Sequence, residues 1–348
     1  MNLEALVRPN IWSLQPYSSA RSEFKGSAEV FLDANENPFE TGLNRYPDPL
    51  QWKLKEKIAA IKQVPKEHIF LGNGSDEAID LLLRIFCEPG IDHIVTLPPT
   101  DGMYRVSADI CNVSVKEIPL TQNFQPDVDA ILSVKHPNAK VLFLCSPNNP
   151  TGNNFDLDAM KTIMSEFGGI VVVDEAYIDF TEQLSCTQLL EEFPNLVVLQ
   201  TFSKAWGLAG IRLGMAFASK EIIGLFNKVK PPYNINQLTQ NAALEALNNA
   251  PQYEAWLAAI LEQRNCLQTE LSKLDFVQYI YPTDANFLLI RVDDPDDLYQ
   301  YLVQQKIIVR NRSKVLLCDG CLRITVGKPE EDQRLMNQLA AYPSTVLN

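Results

Sequence analysis

The chain has 348 residues, 43 acidic side chains against 30 basic, and 46% apolar residues, which excludes disordered and fibrous classes and suits roughly two domains of about 150 residues each. A net charge of -13 with no basic cluster argues against a nucleic-acid partner, because phosphate backbones are bound through clustered Lys and Arg. An anionic small ligand would instead need a few well-placed arginines to overcome the general repulsion.

From about residue 50 onward, helical spacing alternates with short apolar runs. Leu54, Ile58 and Ile61 recur at helix spacing, Ile69 to Leu71 reads as a strand, and Gly74, Ser75 and Asp76 open a helix carrying Ile79, Leu82, Leu83 and Phe86. Strands are expected at His93 to Leu97, Val113 to Ile118, Val141 to Cys145, Ile170 to Val173, Leu196 to Gln200 and Gly214 to Ala218, with helices near Met103 to Ile110 and Val128 to Val134. Continuous apolar runs suit strands buried on both faces. The expected fold class is therefore α/β: a mostly parallel sheet covered by helices, with a smaller α+β domain.

A long helix over Tyr253 to Leu274 leads into that smaller domain. Its strands are expected at Phe276 to Ile280, Asn286 to Val292, Ile307 to Arg310 and Leu322 to Val326, with helices at Asp296 to Gln304 and Glu330 to Ala341. Residues 46–250 are assigned to the large domain. Residues 1–45, which lack a βα unit of their own, join residues 251–348 in the small one.

No basic leader followed by an apolar core opens the sequence, and its apolar runs are only strand-sized, so a cytoplasmic protein with no membrane partner is expected. Seven cysteines without regular spacing do not make a disulfide framework, and Cys318 and Cys321 form a CxxC with no second pair. His68, His93 and His136 build neither a triad nor a metal cluster. No metal is expected.

Three apolar runs end in polar signatures: VLFLC in Ser146-Pro147-Asn148-Asn149-Pro150-Thr151-Gly152, IVVV in Asp174-Glu175-Ala176-Tyr177, and LVVLQ in Thr201-Phe202-Ser203-Lys204. Asn149 and Asp174 are 25 positions apart, and Asp174 and Lys204 are 30 apart, each about one βαβ unit. Ligands of open α/β sheets bind beyond the carboxyl ends of the strands, so one polar group per crossover reaches a common crevice.

An amine, a carboxylate and an amide converging there suit pyridoxal phosphate. A lysine holds it as a Schiff base, while a carboxylate keeps the pyridine nitrogen protonated so that the ring draws electrons from a substrate carbanion. Asn149 and Tyr177 are candidate donors to the ring oxygen. For the phosphate, Gly74-Ser75-Asp76 offers amide N–H groups at a helix N-terminus, Ser203 a hydroxyl and Arg212 a guanidinium fork. Each residue also has an ordinary structural reading: Asp174 and Glu175 as a strand end, Asn149 to Gly152 as a turn, Ser75 as a helix cap, Lys204 as a solvated lysine. Their shared order and spacing favour the site.

SPNNPTG, DEAY and SKAWGLAGIRLG resemble motifs of the aspartate-aminotransferase superfamily, fold type I of the pyridoxal-phosphate enzymes. LDANENP, NRYPDP, FLGNGSDEAIDLLLRIFCEPG and CLRITVG narrow the resemblance to the histidinol-phosphate aminotransferase family. The resemblance implies a homodimeric transaminase of histidine biosynthesis that interconverts histidinol phosphate and 2-oxoglutarate with imidazole acetol phosphate and glutamate. It makes Lys204 the Schiff-base lysine, Asp174 the partner of the pyridine nitrogen, and Asn149 and Tyr177 the donors to the ring oxygen. Ser75, Asp76, Ser203 and Arg212 match the phosphate cup, and Tyr46 a tyrosine reaching the neighbouring subunit's cofactor. Tyr17, Arg310 and Arg323 match positions receiving the substrate's phosphate.

Related scaffolds carry a threonine-phosphate decarboxylase, an aromatic amino-acid aminotransferase or a non-catalytic cofactor-binding protein, and these are the alternatives. One position departs from the pattern. Asp101 stands where the family has an aromatic that stacks on the cofactor ring, so a tyrosine there is expected to tighten cofactor binding.

Overall fold

The computed structural model describes residues 2–17, 29–134 and 136–343. Seven strands form the larger sheet: β1 (Ile69–Asn73), β2 (His93–Thr96), β3 (Ser114–Glu117), β4 (Ala139–Cys145), β5 (Ile170–Asp174), β6 (Leu196–Thr201) and β7 (Leu213–Ala218). Their order is β1-β7-β6-β5-β4-β2-β3. β7 runs antiparallel to both neighbours, and the other pairings are parallel.

Val, Ile and Leu dominate the central strands because both faces are covered. Along β4, Val141, Phe143 and Cys145 pack into one core while Leu142 and Leu144 pack into the other. Along β5, Ile170 and Val172 face the first core and Val171 and Val173 the second. This is the two-residue period of a pleated strand buried on both sides.

Four further strands, β8 (Val277–Ile280), β9 (Phe287–Val292), β10 (Arg310–Asn311) and β11 (Cys321–Thr325), form an antiparallel sheet in the order β10-β11-β9-β8. The helices Pro295–Gln304 and Pro329–Ala340 cover it through Leu298, Leu302, Leu335 and Leu339. The helix Ala250–Leu271 joins the two cores. Tyr253 packs on the large-sheet side, whereas Leu267 and Leu271 belong to the small core. The strand expected at Ile307 to Arg310 begins only at Arg310, and only Arg310 and Asn311 pair with β11.

The N-terminal segment departs from expectation. Residues 1–45 are assigned by sequence to the small domain, yet the helical turns Leu3–Leu6 and Pro9–Trp12 pack on the large sheet's helices. Leu3, Leu6, Val7 and Ile11 make one apolar face at helical spacing, and it is covered by the cluster containing Phe70, Ile79, Leu83 and Phe86. Lys228 Nζ donates to the carbonyls of Ile11 and Trp12, and Arg8 pairs with Glu88 at 3.0 Å. Residues 18–28 and 344–348 of the assigned spans lie outside the described residues.

Candidate active site

The register of the central strands delivers the motifs to one place. Cys145 lies beside Asp174 and Asp174 beside Leu199 in adjacent parallel strands, so the segments leaving β4, β5 and β6 emerge together. They border a cavity of about 360 Å³ lined by Asn149, Asp174, Tyr177, Ser203 and Lys204, together with Ser75, Asp76, Arg212, Arg310 and Arg323. Ten of the residues singled out by sequence therefore meet. Tyr17, 73% exposed, and Tyr46, which stacks on Tyr233 at 4.4 Å, do not line it.

At one end lies an anion cradle. Gly74 precedes the helix Ser75–Phe86 with φ +74°, a conformation glycine adopts without strain, and its N–H donates to the Arg212 carbonyl at 2.9 Å. A side chain on Gly74 would meet the Arg212 guanidinium at 2.8 Å, and one on Gly214 would strike the Ser75 nitrogen. Both glycines thus allow β7 to press against the helix start. Arg212 itself has φ +53° and pairs with Asp76 at 3.1 Å. Ser203 is braced by Thr201, whose Oγ1 accepts from the Ser203 N–H at 3.1 Å.

Asp174, the last residue of β5, is buried. Its Oδ2 accepts from the Tyr104 hydroxyl at 2.7 Å and its Oδ1 from the Ala176 N–H at 3.1 Å. Its carboxyl is pushed up to about 6: burial raises it most, the two hydrogen bonds pull it down, and the charges of Asp101 and Asp76 add to the rise. A cation at that carboxylate would relieve the strain of burying a charge. Tyr177 is also buried, edge-on to Phe287, with Lys204 Nζ 5.4 Å from its ring centroid. Burial raises the Tyr177 phenol, so it stays a hydrogen-bond donor.

The opposite wall carries three arginines. Arg310 and Arg323 face each other across β10 and β11, and Arg312 follows on the same side of its extended segment. The Nε atoms of Arg312 and Arg323 are buried without a hydrogen-bond partner. Burial lowers both guanidiniums, and the neighbouring arginines lower them further. Buried donors without acceptors are costly, and an incoming anion supplies the acceptors.

Tyr104, Thr201, Arg312 and Cys145 belong to the site without having been singled out from the sequence. Arg312 carried a signal, since two residues along a strand return to the same face. Glu175, next to Asp174, has the ordinary role: it is buried and accepts from Ser185 Oγ, the Cys186 N–H and Gln200 Nε2, away from the cavity.

The family model for aminotransferases of class I and II matches residues 25–339. The chain belongs to the class I and II aminotransferases. It is 56% identical to the histidinol-phosphate aminotransferase of Parabacteroides distasonis, over 97% of this chain and 98% of that protein. The solved histidinol-phosphate aminotransferase of Clostridium acetobutylicum superposes with a TM-score of 0.79 at 25% identity, covering 86% of this chain and 91% of that one. The Sinorhizobium meliloti enzyme, solved in complex with pyridoxal 5'-phosphate, shares the fold with a TM-score of 0.75 at 22% identity, covering 85% of this chain and 81% of that one.

Pyridoxal phosphate is the cofactor of these aminotransferases, and the residues present fit it. An amine, a buried carboxylate seeking a cation and a cradle of N–H groups with a guanidinium border one cavity. Its dimensions suit a small aromatic phosphate plus a substrate.

Proposed function

We propose that the chain catalyses transamination between L-histidinol phosphate and 2-oxoglutarate, giving imidazole acetol phosphate and L-glutamate in histidine biosynthesis. The observation that carries the substrate class is the arginine wall, where two buried Nε donors await an anion. Relatives half identical along nearly the whole chain and named for this transamination support it over decarboxylation or a purely aromatic donor range.

In this reading Lys204 holds the cofactor, Asp174 faces its ring nitrogen, and Asn149 and Tyr177 donate to its ring oxygen. Ser75, Asp76, Ser203 and Arg212 take its phosphate. Bound pyridoxal phosphate supplies an electron sink for charge developing at the substrate α-carbon. Asp174 remains ionised against the ring, stabilised by Tyr104 and the Ala176 N–H. Displaced by the substrate amine, Lys204 becomes a free base that takes the α-carbon proton on its Nζ. Arg310 and Arg323 orient the donor through its phosphate, which fixes the α-carbon beside that base.

Replacing either Arg310 or Arg323 by Ala is expected to weaken binding of the phosphorylated donor by roughly 1.5 to 3 kcal/mol, the worth of a charge-assisted hydrogen bond. Unphosphorylated histidinol should be a poor donor and lose far less in either variant. Steady-state kinetics with both donors decide the matter, and equal use of the two by the wild type would overturn the substrate assignment.

The same reading keeps Tyr17 as a group that receives the substrate's phosphate, and it includes a homodimer in which Tyr46 reaches the partner's cofactor. Supporting it, residues 29–50 lack regular helix or strand and present Leu32, Phe39 and Leu43 at 89%, 78% and 55% exposure, near Tyr46 in sequence. Sedimentation velocity should give twice the chain mass at micromolar concentration, and Tyr46→Ala should loosen the cofactor without splitting the dimer. A monomeric wild type would remove this part of the proposal. A cytoplasmic location belongs to it too. Among the described residues no helix is long and apolar enough to cross a membrane.

A further inference from the structure

Asp101 lies on the cavity wall with both carboxylate oxygens engaged. Its Oδ1 accepts from the Met103 N–H at 2.9 Å, at the start of the helix Met103–Ile110, and its Oδ2 accepts from Asn149 Nδ2 at 2.8 Å. Asn149 is buried, and its own side-chain oxygen accepts from Arg323 Nη1. A carboxamide is asymmetric, since its oxygen only accepts and its nitrogen only donates. Asn149 sits between a carboxylate that can only accept and a guanidinium that can only donate. Together these neighbours permit one orientation and leave the second Nδ2 hydrogen free.

Arg323 is the far end of this chain of bonds. Its guanidinium carbon lies 5.2 Å from the centroid of the Phe287 ring, one terminal nitrogen is tied to Asn149, and its Nε has no partner. A long side chain pinned at one nitrogen has already lost much of the rotamer freedom that anion binding would otherwise cost. The negative charge of Asp101 also bears on both Arg312 and Arg323, countering the mutual repulsion of the crowded arginines.

We propose that Asp101 is a positioning residue that fixes the Asn149 carboxamide and, through it, holds Arg323 ready for the substrate's phosphate. The identity of the anion rests on the function proposed above, whereas the chain of bonds does not. Asp101 therefore supplies alignment at the substrate end of the site in place of an aromatic face at the cofactor end.

Holoenzyme carrying Asp101→Ala, Asp101→Asn or Asp101→Tyr tests this, with kinetics on L-histidinol phosphate beside titration of each apo-protein with pyridoxal phosphate. Asp101→Ala should raise KM for the donor about tenfold, with kcat within about threefold, as expected for loss of one hydrogen bond to a charged group. Asp101→Asn keeps one acceptor oxygen; turned to Asn149, at the expense of the bond from the Met103 N–H, it should bring KM back to within about threefold of wild type. Asp101→Tyr should raise KM as alanine does while tightening the cofactor about two- to tenfold by stacking. Opposite movement of the two affinities is not a signature of general loosening.

An unchanged KM in Asp101→Ala, or an asparagine variant as impaired as alanine, would overturn the proposal. If the wild type failed to use the phosphorylated donor at all, the proposed substrate would fall. The bond chain would then be read by calorimetry of inorganic phosphate on the same holoenzymes, where weaker binding by Asp101→Ala supports it. Equal binding by that variant, or no binding by the wild type, overturns it.

Discussion

Lys204→Ala is expected to fold as the wild type does and to lose both the visible absorbance of lysine-held cofactor and turnover, the latter by on the order of 10⁴-fold or more. Lys204 follows β6 in the loop at the cavity, with its side chain exposed, so its removal takes no packing from either core. Far-UV circular dichroism, the visible spectrum and single-turnover rates of the purified variant check the three parts of the expectation. A retained visible band would show that a different lysine holds the cofactor.

Asp174→Asn is expected to act in opposite directions on stability and on catalysis. The Asp174 carboxyl stands at about 6 against an ordinary 3.8, so the folded protein binds a proton that the unfolded chain has already released. Stability from this group is complete below the unfolded value and is lost as pH rises through the folded one. At pH 8 the cofactor-free wild type therefore carries a buried charge, and the neutral asparagine should relieve about 1 to 3 kcal/mol of that cost. The gain should shrink by about 1 kcal/mol between pH 8 and pH 5. Turnover should fall by about 10²- to 10³-fold, because the preorganised charge facing the ring is gone. Urea titrations of the apo-proteins at the two pH values measure the first effect and steady-state rates the second. A stability gain independent of pH would contradict the burial argument.

The two effects share one cause. Burial that costs the empty protein stability is what makes Asp174 responsive to a nearby cation. Tyr104 belongs to the same balance, yet it lies 70 positions away in sequence with no pattern linking the two. Such a bond is invisible to periodicity, which reports local faces and not which loops meet. By contrast, Asn149, Asp174 and Lys204 were legible because each follows an apolar strand and one crossover separates successive members.

Arg312 was missed although its two-residue offset from Arg310 is the same kind of local signal. The N-terminal turns were misassigned for a different reason. Leu3, Leu6, Val7 and Ile11 advertise an apolar face, but nothing local states which neighbour will cover it. Asp101 combines two roles, an interaction at a helix start and a place in the site. Only the position of Asn149 in space joined them.

The anion cradle also has an order of assembly written into it. Asp76 and Arg212 are 136 positions apart, and the helix start they share is shaped by the close passage of Gly214 on β7. A ribosome adding about 5 to 20 residues per second needs roughly 7 to 30 seconds to travel from one half of the cradle to the other. Until then the first half is a bare helix end without its arginine. Any stabilisation that an anion at this cradle gives the nascent protein therefore arrives only after β7 has emerged and docked.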